Sequence, residues 1–224
     1  MLISEEFLLL VTTDEGKWLA SGQAVPIALA GGLLAELAAN GRVAVDDRGR
    51  LAPAPVRSSL GDPVLDHALA TFQQRIGKKP KDVLGKVAKG LGDTLYDRLA
   101  AAGIVECLRG RFLRPNRFPV LDPGPRKQVW SDVAAVLRGQ VVPDMRTGTI
   151  LGLAHASGAV PAVFPHEQFG ISKKDLVNRA KKITDGDWAS GAVGRAVHDA
   201  QAAAMAATMA AVSAATTAAT ISST

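Results

Sequence analysis

The residues with the clearest chemical potential are the basic side chains concentrated in the middle of the chain. Residues 73–117 carry eleven Lys and Arg against four Asp and Glu, a net charge of +7, whereas the whole chain carries +5. By the same count, segments 1–72 and 118–224 come to −4 and +2. A concentrated basic segment attracts phosphate. The phosphate could belong to a lipid head group or to a nucleic acid, unless the segment is simply solvated.

Catalysis and metal binding find little support in the residue types. Zinc sites and metallopeptidases need paired His or Cys ligands at short spacing, and Cys107 is the only cysteine. No two of the four histidines stand four residues apart with a Glu between them: His67, His155, His166 and His198. The glycine-rich stretch around Gly90 lacks both GxGxxG and a following Gly-Lys-Ser/Thr. The sequence therefore predicts a protein that is not an enzyme and has neither a metal ion nor a cofactor.

Composition is that of a globular protein in a reducing compartment. The chain has 224 residues, of which 47% are hydrophobic and 21% charged. A single cysteine excludes an internal disulfide, and the first residues lack the basic start and cleavage pattern of a signal peptide. We therefore expect a cytoplasmic location.

Two stripes of apolar residues recur at the spacing of one helix face. The first consists of Ala30, Leu33, Leu34 and Leu37. The second consists of Ala88, Leu91, Leu95, Leu99 and Ala102. A glycine follows each stripe, Gly41 and Gly103 respectively, and is expected to end the helix. Further helices are predicted over 125–137, 147–156, 172–182 and 191–215, so the fold class is mainly α.

A short pattern typical of a β-hairpin follows each stripe, with turns at 47–49 and 109–111. The fold is therefore expected to include one or two short β-hairpins. Leu33, Leu37 and Gly41 recur 62 residues later as Leu95, Leu99 and Gly103, which is either a chance echo or an internal repeat.

A helix that ends in glycine and runs into a hairpin is also typical of winged-helix nucleic-acid-binding proteins. In that alternative, 93–102 would be the reading helix and 104–118 the wing. Asp93 and Asp97 weigh against it, because acidic side chains on a reading helix repel the nucleic-acid backbone. Nucleic acid is therefore the second candidate partner.

Five short blocks of sequence stand in a distinctive order. They are Ser4–Leu10 (SEEFLLL), Gly31–Arg42 (GGLLAELAANGR), Gly61–Leu69 (GDPVLDHAL), Leu95–Val105 and Leu153–Ser157. Together they resemble the Golgi phosphoprotein 3 family almost from end to end, and the alanine-rich composition would suit a bacterial homologue.

The resemblance implies a single domain over 1–200, built as a compact helical bundle surrounded by amphipathic helices. Eukaryotic members bind phosphatidylinositol 4-phosphate on the cytosolic face of Golgi membranes and sort glycosyltransferases. The expected function here is that of a peripheral membrane protein that binds anionic phospholipid or phosphoinositide through a basic face. Membrane-protein clients and a homo-oligomer are the further partners that the resemblance implies.

The expected lipid-binding residues combine this resemblance with the basic segment. They are Trp18, Lys86, Lys89, Arg109, Arg111 and Arg114. In eukaryotic members a tryptophan and three arginines grip the inositol phosphate. The tryptophan falls near Ser21, three residues from Trp18, and the arginines fall on Ala30, near Lys89 and near Gly92. Lysine lacks the bidentate fork of arginine. We therefore expect affinity for anionic lipid without selectivity for the 4-phosphate.

The last 25 residues, after Asp199, carry no charge. They are long enough to cross a bilayer, but Ala, Thr and Ser supply little transfer energy. We predict a core helix to about Ala215 and a polar tail, with residues 200–224 as a possible self-association face.

Overall fold

The computed structural model describes residues 1–54, 59–110, 116–186 and 191–221. Within these ranges it describes every side chain except those of residues 191–196 and 215–221. Within these ranges the chain is mainly α-helical and has one two-stranded antiparallel sheet, as the sequence predicts. The first helices and strands are α1 Ile3–Leu10, α2 Ala24–Ala39, β1 Val43–Val45, β2 Leu51–Pro53, α3 Pro63–Gln73, α4 Lys81–Val87 and α5 Leu91–Ala101. The remaining helices are α6 Gly124–Arg138, α7 Met145–Ala156, α8 Val160–Val163, α9 Lys173–Thr184 and α10 Gly191–Ile221, with a 3-10 helix at His166–Phe169.

Helix α2 lies at the centre of the bundle and packs against α1, α7 and α10. It is apolar nearly all round, which is the pattern of a fully buried helix. Two glycines permit close approach: a Cβ at Gly31 would lie 2.6 Å from Ala204 Cβ, and one at Gly32 would lie 2.7 Å from Ser4 Oγ. The Ser4 hydroxyl donates to the Leu29 carbonyl at 2.7 Å, so the polar group at this contact is satisfied. The predicted first stripe is therefore the core helix.

Helix α10 covers α2 along its length and also reaches α4, α7 and β1. It is helical as predicted and continues past Ala215 to Ile221. Its buried side chains include Val197, Ala204 and Thr208. Within the described ranges, no helix combines the length and the apolar character needed to cross a bilayer.

The predicted glycine stops are confirmed at both stripes. Gly41 and Gly103 adopt φ of 63° and 74°, the left-handed conformation that glycine tolerates best. The N–H of the residue after each glycine returns to the helix, to the carbonyl of Leu37 in α2 and of Leu99 in α5, both at 2.9 Å. The second stripe does not form one helix, however. Gly90, with φ of 72°, separates α4 from α5 and leaves Ala88 in the turn between them.

The first hairpin forms as predicted, with Val43 opposite Pro53 and Val45 opposite Leu51. The second is described only at its base, where two isolated bridges pair Val105 with Val120 and Leu108 with Arg117. Residues 111–115, which include the end of its predicted turn, lie outside the described residues.

Helix α5 is fixed in orientation by one arginine. Arg98 donates from Nε to Glu5 of α1 at 2.7 Å, and its Nη1 lies 2.9 Å from an Asp62 carboxylate oxygen. Asp62 also caps α3 by accepting from the N–H groups of Val64 and Leu65. This network ties α5 to α1 and α3, so that the first turn of α5 is presented at the surface next to loop 12–22.

Candidate functional site

A groove of about 710 Å³ opens where three segments meet. These segments are the loop after α1 with the first turn of α2, the start of α5, and the base of the second hairpin. We call this depression the Trp18 groove. It is lined by Gly16, Lys17, Trp18, Ala20, Gly22, Pro26, Ala88, Gly90, Gly92, Asp93, Tyr96, Asn116, Arg117 and Phe118.

The loop that carries Trp18 is a tight turn held against the second hairpin. The Thr13 N–H donates to the Lys17 carbonyl at 2.7 Å, and the Asp14 carbonyl accepts from the Val120 N–H at 3.1 Å. Gly16 has φ of 76°, and a Cβ there would lie 2.4 Å from the backbone nitrogen of Phe118. Glycine is therefore required at this position, both for its conformation and for the close backbone approach.

Hydrogen bonds position the aromatic residues of the groove. Trp18 is half-buried, and its Nε1–H donates to the Tyr96 hydroxyl at 2.9 Å. That hydroxyl lies 2.7 Å from Thr12 Oγ1. The Tyr96 ring stacks on Phe118 with centroids 3.9 Å apart and planes 5° from parallel. Burial raises the pKa of Tyr96, despite the opposing hydrogen bonds from Thr12 and Trp18, so the phenol stays neutral.

The groove offers several groups to an anion. Lys17 and Arg117 are both exposed and bring positive charge. Helix α5 begins at Leu91 after Gly90, and no described side chain caps it; of its first-turn amides, the Leu91 N–H donates to the Ala88 carbonyl at 3.1 Å. An uncapped helix N-terminus leaves backbone N–H groups free and carries partial positive charge. Asp93, in the first turn, contributes the opposite charge.

Comparison with known proteins identifies one family. The Golgi phosphoprotein 3 (GPP34) family model matches residues 3–200 of the chain, nearly its whole length. The chain belongs to this family. No curated protein is a significant match. Membership is consistent with a Golgi phosphoprotein or lipid-binding role and gives no support to the nucleic-acid alternative.

The predicted lipid-binding residues differ in their relation to the groove. Trp18 lines it, whereas Lys86 and Lys89 are exposed on the neighbouring end of α4 and the turn before α5. Arg109 is exposed and donates from Nη2 to both carboxylate oxygens of Asp97, at 2.9 and 3.2 Å, which offsets part of its charge. Arg111 and Arg114 lie outside the described residues.

Two of the three positions at which the resemblance would place the family arginines carry no charge in this chain. Ala30 is fully buried in α2. Gly92 lies in the groove, where a Cβ would be 3.6 Å from Cζ2 of Trp18. The indole therefore lies over the space next to Gly92, and the positive charge of this groove comes from Lys17 and Arg117.

Sequence reasoning did not assign four polar groove residues to the site: Lys17, Asp93, Asn116 and Arg117. Arg117 belongs to the predicted basic segment 73–117 but not to the predicted lipid-binding residues, and Lys17 could have been found from its position beside Trp18. Nothing local marked Asn116 or Asp93, because the closeness of 16–18 to 92–96 is a tertiary contact.

Helix α5 is a poor candidate for reading a nucleic-acid groove. Arg98 is engaged by Glu5 and Asp62, and Arg109 of the adjoining hairpin is engaged by Asp97. The carboxylates that hold these arginines would compete with a phosphate backbone. Among the described residues, no cluster of three or more His, Cys, Asp and Glu could hold a metal ion.

Proposed function

We propose that this protein is a peripheral membrane protein that binds acidic phospholipid head groups in the Trp18 groove. The observation that carries the proposal is the convergence of Lys17, Arg117 and the uncapped start of α5 on one groove with an aromatic wall. Charge-assisted hydrogen bonds from lysine, arginine and backbone amides are the usual means of holding phosphate. Family membership supports the same ligand class.

Lys86, Lys89 and Arg109 would act around the groove rather than in it. Exposed basic residues near an anionic surface contribute about 1 kcal/mol each, and they need no fixed geometry to do so. Leu108 is 45% exposed next to Arg109 and offers a small apolar contact to the bilayer interface. We expect Arg111 and Arg114 to add to this effect because they follow Arg109 closely in the basic segment of the sequence.

The proposed selectivity is for negative charge rather than for one head group. A bidentate arginine reads phosphate geometry, whereas a lysine acts as a point charge. With Ala30 and Gly92 at two of the family arginine positions, we expect phosphatidylglycerol, cardiolipin and phosphatidylinositol 4-phosphate to bind alike. The protein would then associate with the cytosolic face of a membrane, and membrane clients and self-association are further proposals that rest on family resemblance.

The test is vesicle flotation with neutral, phosphatidylglycerol, cardiolipin and phosphatidylinositol 4-phosphate vesicles, at low and high salt. We expect flotation with every acidic vesicle, none with the neutral one, and release as salt rises. Preference for the 4-phosphate would overturn the proposed selectivity. Failure to bind any acidic vesicle at low salt would overturn the proposed function, and retention on a short DNA duplex in that case would favour the winged-helix alternative.

A further inference from the structure

We propose that Tyr96 is the residue that positions Trp18 in the Trp18 groove, and that it does so by accepting a hydrogen bond from the indole N–H. Trp18 and Tyr96 are 78 residues apart in sequence and are joined by the 2.9 Å bond from Nε1 to the phenol oxygen. The inference rests on the proposed function for its consequence in lipid binding. Its geometry does not depend on lipid.

The direction of each bond in the chain of hydroxyls follows from proton count. Thr12 Oγ1 donates its only proton to the Leu8 carbonyl at 2.5 Å. At the 2.7 Å contact between Thr12 and Tyr96, the phenol must therefore be the donor. The phenol oxygen remains free to accept from Trp18 Nε1. The result is a one-way relay from the indole, through Tyr96 and Thr12, to the backbone of α1.

The relay is anchored at its buried end and leads to the surface at the other. Thr12 is fully buried, Tyr96 is 2% exposed and Trp18 is half-buried at the groove. Stacking on Phe118 fixes the plane of the Tyr96 ring. With its N–H turned inward, the indole presents ring carbons to the groove and lies against Gly92. A ligand in the groove would therefore contact the apolar face of Trp18, and the groups that hydrogen-bond to the ligand must be other residues.

The deciding experiment is a double-mutant cycle between Y96F and W18F, read as the Kd for phosphatidylglycerol vesicles. Phenylalanine at 96 keeps the ring stack and removes only the hydroxyl. We expect Y96F to weaken binding about fivefold, the equivalent of one net hydrogen bond. In the W18F background, where no indole N–H exists, Y96F should have no further effect. Equal losses in both backgrounds, or no loss in either, would overturn the proposal.

A second measurement reports the position of Trp18 without any lipid. In a W130F/W188F background Trp18 is the only tryptophan, and acrylamide quenching measures its accessibility. Quenching should increase in Y96F because the unbonded indole swings outward, and unchanged quenching would contradict the proposal. T149V is the matched control: it removes a buried hydroxyl that donates to the Met145 carbonyl at 2.7 Å, away from the groove. It should change neither quenching nor Kd.

The two readouts also separate the positioning role from the proposed function. If the unsubstituted protein binds no acidic vesicle, the proposed function fails, and the quenching result alone decides whether Tyr96 positions Trp18.

Discussion

Two parts of this molecule share one sequence pattern and put it to different uses. Helix α2 with β1–β2, and α5 with the second hairpin, each consist of a helix, a left-handed glycine and a hairpin, with the same returning hydrogen bond at the glycine. Yet α2 is buried nearly all round, whereas α5 buries only the face of Leu91, Leu95, Tyr96 and Leu99. The sequence pattern determines the local structure. The elements that pack around the helix decide whether it lies in the hydrophobic core or lines a surface groove.

Glycine shows this difference most directly. In α2, Gly31 allows the backbone of α10 to approach, with no room for a Cβ. In α5, Gly92 borders the groove and has space for a Cβ at ordinary contact distance from Trp18. One glycine is required by packing, and the other is not.

The largest expected effect comes from adding a methyl group at Gly31, in the buried helix α2. G31A should lower the free energy of unfolding by about 1–3 kcal/mol, because the new methyl group overlaps Ala204. G92A should be neutral or stabilising by up to about 1 kcal/mol, because alanine favours the helix. Chemical denaturation of both variants measures the contrast. Equal destabilisation would show that the two helices are packed alike.

A smaller effect is expected from the acidic residue of the groove. D93N removes the carboxylate that faces an incoming phosphate, and should tighten binding to phosphatidylglycerol vesicles by about fivefold, the value of one charge near an anionic surface. D47N on the turn of the first hairpin is the control, since it removes an equal charge from an exposed site outside the groove. Vesicle cosedimentation measures both. An equal gain in the two variants would mean that only net charge matters.

The smallest effect concerns pH and Glu36, a half-buried carboxyl of helix α2. Glu36 of α2 accepts from the Ile3 N–H at 2.9 Å, and burial raises its pKa above the ordinary 4.5. The folded state therefore holds this proton to higher pH than the unfolded chain does. The Glu36 contribution to stability is fully present below the unfolded pKa and is lost as pH rises through the folded one.

E36Q should remove this dependence because glutamine does not titrate. As pH rises above the ordinary 4.5, the free energy of unfolding of E36Q should increase relative to that of the unsubstituted protein. A difference between E36Q and the unsubstituted protein that stays constant with pH would contradict the assignment.

Helix ends and the first hairpin could be predicted because their signals are local. Glycine is the usual residue at a left-handed helix end, and Gly41 and Gly103 both adopt that conformation. Asp47-Arg48-Gly49 is a sequence typical of a turn, which predicts the first hairpin. Helices α1, α3, α4 and α8 were not predicted. In α1, three polar residues are followed by an unbroken apolar run from Phe7 to Val11, which shows no helical period. The break at Gly90 was missed because a helical stripe continues on both sides of it.

The site was predictable in its chemistry but not in its geometry. Charge counting indicates a phosphate-binding segment, and family resemblance places a lipid-binding tryptophan near Ser21, three residues from Trp18. The pairing of Trp18 with Tyr96, and of Gly16 with Phe118, joins residues far apart in sequence and leaves no periodic trace. These contacts decide which cations line the groove, and so Arg117 lines it while Lys86 and Lys89 do not.

The most direct test of the central claim reverses one charge on each hairpin. R117E and R48E change net charge equally, and both arginines are exposed, but only Arg117 lines the Trp18 groove. In cosedimentation with phosphatidylglycerol vesicles, R117E should weaken binding by about 25-fold, because it changes two charges next to the head group, and R48E far less. Equal weakening by the two variants would mean that the protein is held by diffuse charge, and that the Trp18 groove is not the lipid head-group site.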